Sequence, residues 1–509
     1  MKQHKSKLKS LITRYLIMKS QRFLSSYFSF PLALAFVFTI FMSCNRKATE
    51  QSKPNIVFVL ADQWRAQAIG YSGDPNLKGK TPNLDRIAET GVNFRNAVSV
   101  CPVCTPYRAS LLTGQYPTTT GMFFNDIHLP EESLTMAEIF KEAGYNTAYI
   151  GKWHLDGMGR FEFTPPERRQ GFDYWKALEC SHEYNNLLYY SGNDTSKHYW
   201  EGYGPYAETS DAISYIKLHA EDDDPFLLFL SIAAPHFPHH TAPERFQKIF
   251  REEGIILAPN VPDKMKENAT KESIGYYSHI MALDSCIGRL QETLKEEEIF
   301  ENTIFVFSSD HGEMMGSHNI RPKLKQLAYA ESVRIPFLLK YPAVFANKNI
   351  VVNSPINTPD ILPTLLDLAN IPAPGSIEGE SMAAAIKDPS AFPDKAALVM
   401  SISPFDNKGN DEYRGIYTHR YTCIENLDGP WMIYDNEKDP YQMNNLVNKP
   451  ECKDLVKELD AMLWKELNKI GDEFQPRQYY IVKWGYELNE YGHIPYYGEH
   501  KFQEPELNR

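Results

Sequence analysis

Cysteine is scarce and scattered in this chain. Its 509 residues hold seven, Cys44, Cys101, Cys104, Cys180, Cys286, Cys423 and Cys452, with one C-x-x-C between Cys101 and Cys104. That usage excludes a disulfide scaffold, and a zinc ribbon would need a second ligand pair that is not evident. A thioredoxin-like pair would follow the first strand of a far smaller domain. Positive charge is also in deficit: 53 Lys+Arg against 65 Asp+Glu leave a formal net charge of −12. A nucleic-acid binder needs the opposite field, so nucleic acid is excluded as a partner. No stretch reaches the roughly 18 apolar residues of a membrane-spanning helix. Repeats and low-complexity blocks are missing, and 13% aromatic content with mixed charge excludes a disordered or fibrous chain.

What is present begins with an unusual first segment. Residues 1–43 carry Lys2, Lys5, Lys7, Lys9, Arg14, Lys19 and Arg22 and no acid, followed by the apolar run Pro31–Met42. A basic region, a short apolar core and a small residue at the break read as an export signal. Cys44 directly after Ser43 resembles a bacterial lipoprotein cleavage site, which makes Cys44 the expected lipidated first mature residue. Removing the segment with its seven basic residues takes the formal charge from −12 to −19. An anionic substrate would then need a local basic pocket, because the global field repels it.

The body alternates strands and amphipathic helices. Asn55–Leu60 (NIVFVL) is a continuous apolar run, as expected of a parallel strand buried on both faces. Helices are expected over 81–89, 134–143, 207–220, 271–298 and 358–368, and strands over 147–150, 226–230 and 303–307. The rhythm predicts an α/β fold, a large mostly parallel sheet flanked by helices. From about Ala396 shorter alternating runs and a helix over 452–470 predict a smaller α+β domain of antiparallel sheet plus helix. The expected organisation is a signal over 1–43, a short linker over 44–53, a catalytic domain over 54–395, a C-terminal subdomain over 396–475 and an aromatic-rich tail over 476–509. The tail aromatics Tyr479, Tyr480, Trp484, Tyr486, Tyr496 and Tyr497 are expected to pack between domains.

Ligands of open α/β sheets gather at the carboxyl ends of the strands. Here those ends run into Asp62-Gln63, into Lys152 and His154, into His236, and into Asp310-His311. Any one of these reads as a capping or turn residue; four on one sheet edge point to one site. Asp62, Gln63 and Asp310 are hard oxygen ligands suited to Ca²⁺ or Mg²⁺, whereas His311 keeps Zn²⁺ or Mn²⁺ open.

Cys104 sits in the frame Cys104-Thr105-Pro106-Tyr107-Arg108-Ala109-Ser110-Leu111-Leu112-Thr113-Gly114. This resembles the type I sulfatase signature of the alkaline phosphatase superfamily, C-x-P-x-R followed by L-T-G, with Tyr107 where the commonest version has Ser. Asn55–Asp62, Thr81–Asp85, Gly144–His154, Ala234-Pro235-His236, Ser309–Glu313 and Glu331–Pro336 are similar to further family motifs, as are Tyr434-Asp435, Lys438–Pro440 and Asn444–Leu446. The resemblance spans about Asn55 to Asn445.

It implies a sulfuric ester hydrolase acting on a sulfated carbohydrate. The family's maturation enzyme, either formylglycine-generating or anaerobic sulfatase-maturating, would convert Cys104 to formylglycine (3-oxoalanine), whose hydrate attacks sulfur. The resemblance further implies one Ca²⁺ on Asp62, Gln63, Asp310, His311 and residue 104, with Arg108 orienting the nucleophile. Lys152, His236 and Lys325 would bind sulfate or serve the leaving group, and His154 would act as base. Lys323 competes with Lys325 for its role, and Lys325 is the choice here. Lys152 and His154 are expected to alternate along an extended segment, and His239 and His240 to be solvent-facing loop residues. The expected partners are a sulfated saccharide, the maturation enzyme, and the export and lipoprotein machinery of a bacterial envelope. A phosphatase or phosphodiesterase of the superfamily, with Thr105 as nucleophile and a second metal, is one alternative; a non-catalytic binder of sulfated glycan is the other.

Overall fold

Four apolar runs become the central strands, β1 (Asn55–Asp62), β2 (Asn146–Lys152), β3 (Phe226–Pro235) and β4 (Thr303–Ser309). The computed structural model describes residues 53–404, 412–489, 492 and 494–496, so the signal segment, Cys44 and Tyr497 lie outside the described residues. In β1, Ile56, Phe58 and Leu60 enter one hydrophobic core while Val57, Val59 and Ala61 enter another. Both faces are therefore covered, which is why these runs are continuous rather than alternating.

The ten-stranded sheet runs in the order 350–352, 92–94, 337–340, β4, β1, β3, β2, 174–178, 188–191, 194–199. Its centre, from β4 through 174–178, is parallel. The large, mostly parallel sheet is as expected; at its flanks 337–340 runs antiparallel to β4, and 188–191 antiparallel to 174–178 and 194–199. The outer strand 194–199 is mostly exposed and reads polar (DTSKHY), so it carried no apolar strand signal.

The long helix starts at Asp263, behind Pro262, rather than at Lys271. Its first turns, DKMKENAT, bury only Ala269 and so show no apolar stripe. Strands 397–401, 413–417, 421–426 and 429–435 form the expected small antiparallel sheet. The helix Lys453–Lys469 buries Leu459, Leu463 and Leu467. The tail contains an additional short helix, Arg477–Lys483. Tyr480 accepts a 3.0 Å bond from Arg414, which is ion-paired with Asp472 in the small domain. Tyr486 donates to the Gly121 carbonyl at 2.9 Å, so the tail contacts the large domain as well.

Candidate active site

The four central strands are neighbours, and their carboxyl ends open on one place. Asp62 closes β1, Lys152 closes β2, His236 follows β3, and Asp310-His311 follows β4. Above them sits the helix Cys104–Thr113, every residue of which is buried. It begins at Cys104 itself. Val103 provides no side-chain cap; Asn125 Oδ1 instead accepts the first-turn Thr105 N–H at 3.0 Å. Cys104 thus lies at the amino end of the helix, where the dipole favours negative charge.

One carboxylate organises the basic side chains. Asp62 accepts from Lys152 Nζ at 2.6 Å and from Arg108 at 3.3 Å. Arg108 also reaches Asp310 Oδ2 at 3.2 Å, the Lys152 carbonyl at 3.0 Å and Ser231 Oγ at 2.7 Å. Burial by itself would raise the Asp62 carboxyl; Lys152 foremost, then His236, Lys325 and Arg108, hold it well below the usual carboxylate range. Asp310 is pushed the other way by burial and by the charge on Asp62. Burial and Asp62 work against ionisation of Cys104, but Lys152, Lys325 and His311 bring its thiol well below the ordinary value.

Asp62, Cys104, Asp310 and His311 bring four ligand atoms within 4.8 Å of one another, all buried. Their donor set fits a metal ion on three structural counts. His311 Nδ1 lies 2.9 Å from the Gly312 carbonyl, which places a proton there and turns Nε2 into the cluster, 3.3 Å from Cys104 Sγ. The Gln63 amide donates to Glu313, so its oxygen is the end turned toward the site. Asp62 and Asp310 are two buried carboxyls in mutual repulsion, which a cation between them would relieve. Gln63 itself has φ 65°, a strained value for a non-glycine residue, and its amide N–H is held by Asp310 Oδ1 at 3.0 Å.

Lys325 closes the other side. Its Nζ is 3.2 Å from Cys104 Sγ, 3.2 Å from His236 Nε2 and 3.4 Å from Gln63 Oε1. Lys323 turns away to Glu272 at 3.2 Å. His236 donates from Nδ1 to the Phe237 carbonyl at 2.8 Å and stacks on His182 with ring centroids 4.0 Å apart. Burial, then His182 and Lys325, push its imidazole well below the ordinary range, so Nε2 is a lone pair.

Two expectations need correcting. His154 is not part of an extended segment: the strand ends at Lys152, and His154 has φ 61°. Its Nε2 lies 2.8 Å from Asp126, and its side chain still meets Cys104 from this turn. His239 is not solvent-facing: it is buried, bonded to Glu272 at 2.8 Å, while His240 is exposed as expected. Tyr107 is buried and packs into the hydrophobic core.

Sequence reasoning missed Glu313, Asp126 and His182. Glu313 stood inside the Ser309–Glu313 motif without a role. Asp126 and His182 lie in loops whose only signal is an isolated polar residue.

The comparisons with known proteins agree on one family. The sulfatase family profile matches residues 54–371, and that of the N-sulphoglucosamine sulphohydrolase C-terminal region matches residues 322–469. An ulvan-active sulfatase of Formosa agariphila is 54% identical over 463 residues, 90% of each chain. An endo-4-O-sulfatase of Bacteroides thetaiotaomicron is 29% identical over 83% of this chain and 94% of its own length. The crystal structure of Bacteroides fragilis yidJ superposes with a TM-score of 0.76 at 31% identity, covering 84% of this chain and 98% of that one. A buried strand-end cluster suited to a metal ion, a buried cysteine at a helix start and relatives matched over nearly their full lengths lead to one conclusion: this chain is an enzyme of the sulfatase family, within the alkaline phosphatase-like superfamily.

Proposed function

We propose that the protein releases sulfate from a sulfated polysaccharide of the ulvan type, using formylglycine made from Cys104 and one bound Ca²⁺. The observation that carries this reading is the ring of side chains around Cys104: the cationic Lys152, Lys325 and Arg108, with neutral His236 beside Lys325, converge where a tetrahedral anion would meet position 104. The Cys104 sulfur marks the position that the formylglycine hydroxyls would take. The ulvan assignment is supported by 54% identity to the ulvan-active relative over 90% of both chains.

Asp62, Gln63, Asp310, His311 and residue 104 would hold the ion. Bound there, the cation neutralises sulfate charge and the hydrated aldehyde supplies an attacking hydroxyl. Arg108, buried and fixed by four acceptors, orients position 104 and balances the charge of Asp62 and Asp310. Lys152 and Lys325 bind sulfate oxygens from two sides. His236, with its proton held at Nδ1 by the Phe237 carbonyl, presents Nε2 to the bridging oxygen and passes it a proton taken up from Lys325 or solvent. His154 serves as the base at position 104. The sulfate ester barrier is high, and charge stabilisation of this kind is the largest contribution such a site offers.

With the acidic balance outside it, this pocket is the place that receives the sulfate group of the polymer. The basic, apolar and Cys44-ending segment supports export and lipid attachment in a bacterial envelope, where a polysaccharide is met.

The test is sulfate release from ulvan fragments by protein produced with a maturation enzyme, alongside a phosphate monoester control. Mass analysis of the peptide bearing position 104 should show H₂S exchanged for O. Active protein carrying an intact thiol would refute the formylglycine reading, and turnover of the phosphate ester alone would refute sulfatase chemistry. Failure on ulvan with release from another sulfated glycan would overturn only the substrate class.

A further inference from the structure

Behind His154 stands a second row of residues that the strand-end reading did not reach. His154 Nε2 lies 2.8 Å from Asp126 Oδ1. Asp126 is gripped by Arg160, Nε to Oδ1 at 3.1 Å and Nη2 to Oδ2 at 2.9 Å, a two-pronged guanidinium–carboxylate pair. Arg160 Nε in turn donates to the Tyr496 hydroxyl at 3.0 Å, so the C-terminal tail backs the row. The carboxylate is thereby fixed in charge: burial would raise it, but Arg160 first and then His154 hold it well below the ordinary carboxylate range.

The backbone is fixed as firmly. His154 and Asp126 both have left-handed φ, 61° and 62°, which cost energy unless the surroundings hold them. Thr105, next to Cys104, supplies that hold: its hydroxyl donates to the His154 carbonyl at 2.9 Å and accepts from the Asp126 N–H at 3.3 Å. The neighbouring Asn125 caps the same helix turn at 3.0 Å. One two-residue segment, Asn125-Asp126, therefore positions both the residue to be converted and the imidazole beside it.

We propose that Asp126 is a positioning residue for the reaction: it accepts a hydrogen bond from the His154 Nε2–H, so that the buried Nδ1 is the basic nitrogen for position 104, with Arg160 locking the carboxylate in that pose. The inference rests on the reading of His154 as the base. An aspartate with one oxygen on the imidazole N–H selects the tautomer and steadies the imidazolium that forms when Nδ1 takes a proton. The proton enters at Nδ1, and the Nε2 proton stays between His154 and Asp126.

The test is a double-mutant cycle in the full-length, matured protein. Asp126→Asn keeps the shape of the side chain but lets the amide select the wrong tautomer. Its kcat should fall by about 10²-fold or more, with KM within about threefold of the wild type. In a His154→Ala background the same change should cost less than about twofold, because Asp126 has nothing left to position. Arg160→Gln should lower kcat about tenfold and show the same loss of effect in the His154→Ala background. Multiplying effects of Asp126 and His154, or loss through KM alone, would overturn the proposal and leave the sulfatase reading intact. Full sulfate release by His154→Ala would instead overturn the assignment of the base. If Asp126→Asn does not fold, the Arg160→Gln cycle decides the question by the same criterion.

Discussion

The Lys325 ammonium lies 3.2 Å from the Cys104 sulfur, whereas Lys323, two residues earlier, extends to Glu272 at 3.2 Å. Lys325→Ala should therefore lower kcat/KM by about 10²-fold or more, the scale of losing one charge-stabilising group. Lys323→Ala should stay within about tenfold, since the Lys323 ammonium meets Glu272 and the Phe237 ring. Parallel kinetics of the two variants check the assignment, and equal losses would refute it.

Gln63 and Glu313 are 250 residues apart, yet the Glu313 carboxylate fixes which end of the Gln63 amide faces the cation site. Glu313 Oε1 also accepts the N–H groups of Met315 at 2.9 Å and Lys323 at 2.8 Å, so its place is set by backbone. Glu313→Gln is expected to weaken metal binding by about 10- to 100-fold. Activity should then titrate back with added Ca²⁺, while chelated wild-type protein recovers at much lower concentrations. Unchanged metal dependence would show that Gln63 is oriented by something else.

Glu208 is buried, carries an unbonded Oε2, and is pushed up to about 8 by burial, with a smaller push from Asp211. A carboxyl whose folded pKa exceeds its unfolded value stabilises fully below the unfolded value, near 4.3, and loses that contribution as pH rises through the folded value. Glu208→Gln should thus gain little at pH 4 and be more stable than wild type by about 1–2 kcal/mol at pH 8 and above. Thermal unfolding of both proteins from pH 4 to 9 measures this; a gain that shrinks as pH rises would contradict it.

Arg414 and Asp472 form a fully buried ion pair that also engages Tyr480 of the tail helix. Removing one partner strands the other charge, so Arg414→Ala should cost about 3–5 kcal/mol. Replacing both with apolar residues of similar size should cost far less. Denaturant unfolding of the single and double variants separates the cases, and a neutral single variant would show the pair to be dispensable.

Much of this molecule was legible from residue order. Continuous apolar runs such as NIVFVL are what burial of a parallel strand on both faces selects, so the central strands and their polar ends could be placed without coordinates. The frame from Cys104 to Gly114 is local, and one helix carries Cys104 and Arg108 together. Tertiary structure decided what depends on long-range contact. Lys323 and Lys325 share a loop with no period, and only its path, with φ 77° at Lys323, sends one inward. The Asp126–His154 pair joins loops 28 residues apart, and His239 is buried because Tyr276 and Glu272 of a distant helix close over it. Periodicity and motifs report the neighbours along the chain; hydrogen bonds between loops are set when the sheet brings their anchoring strands side by side.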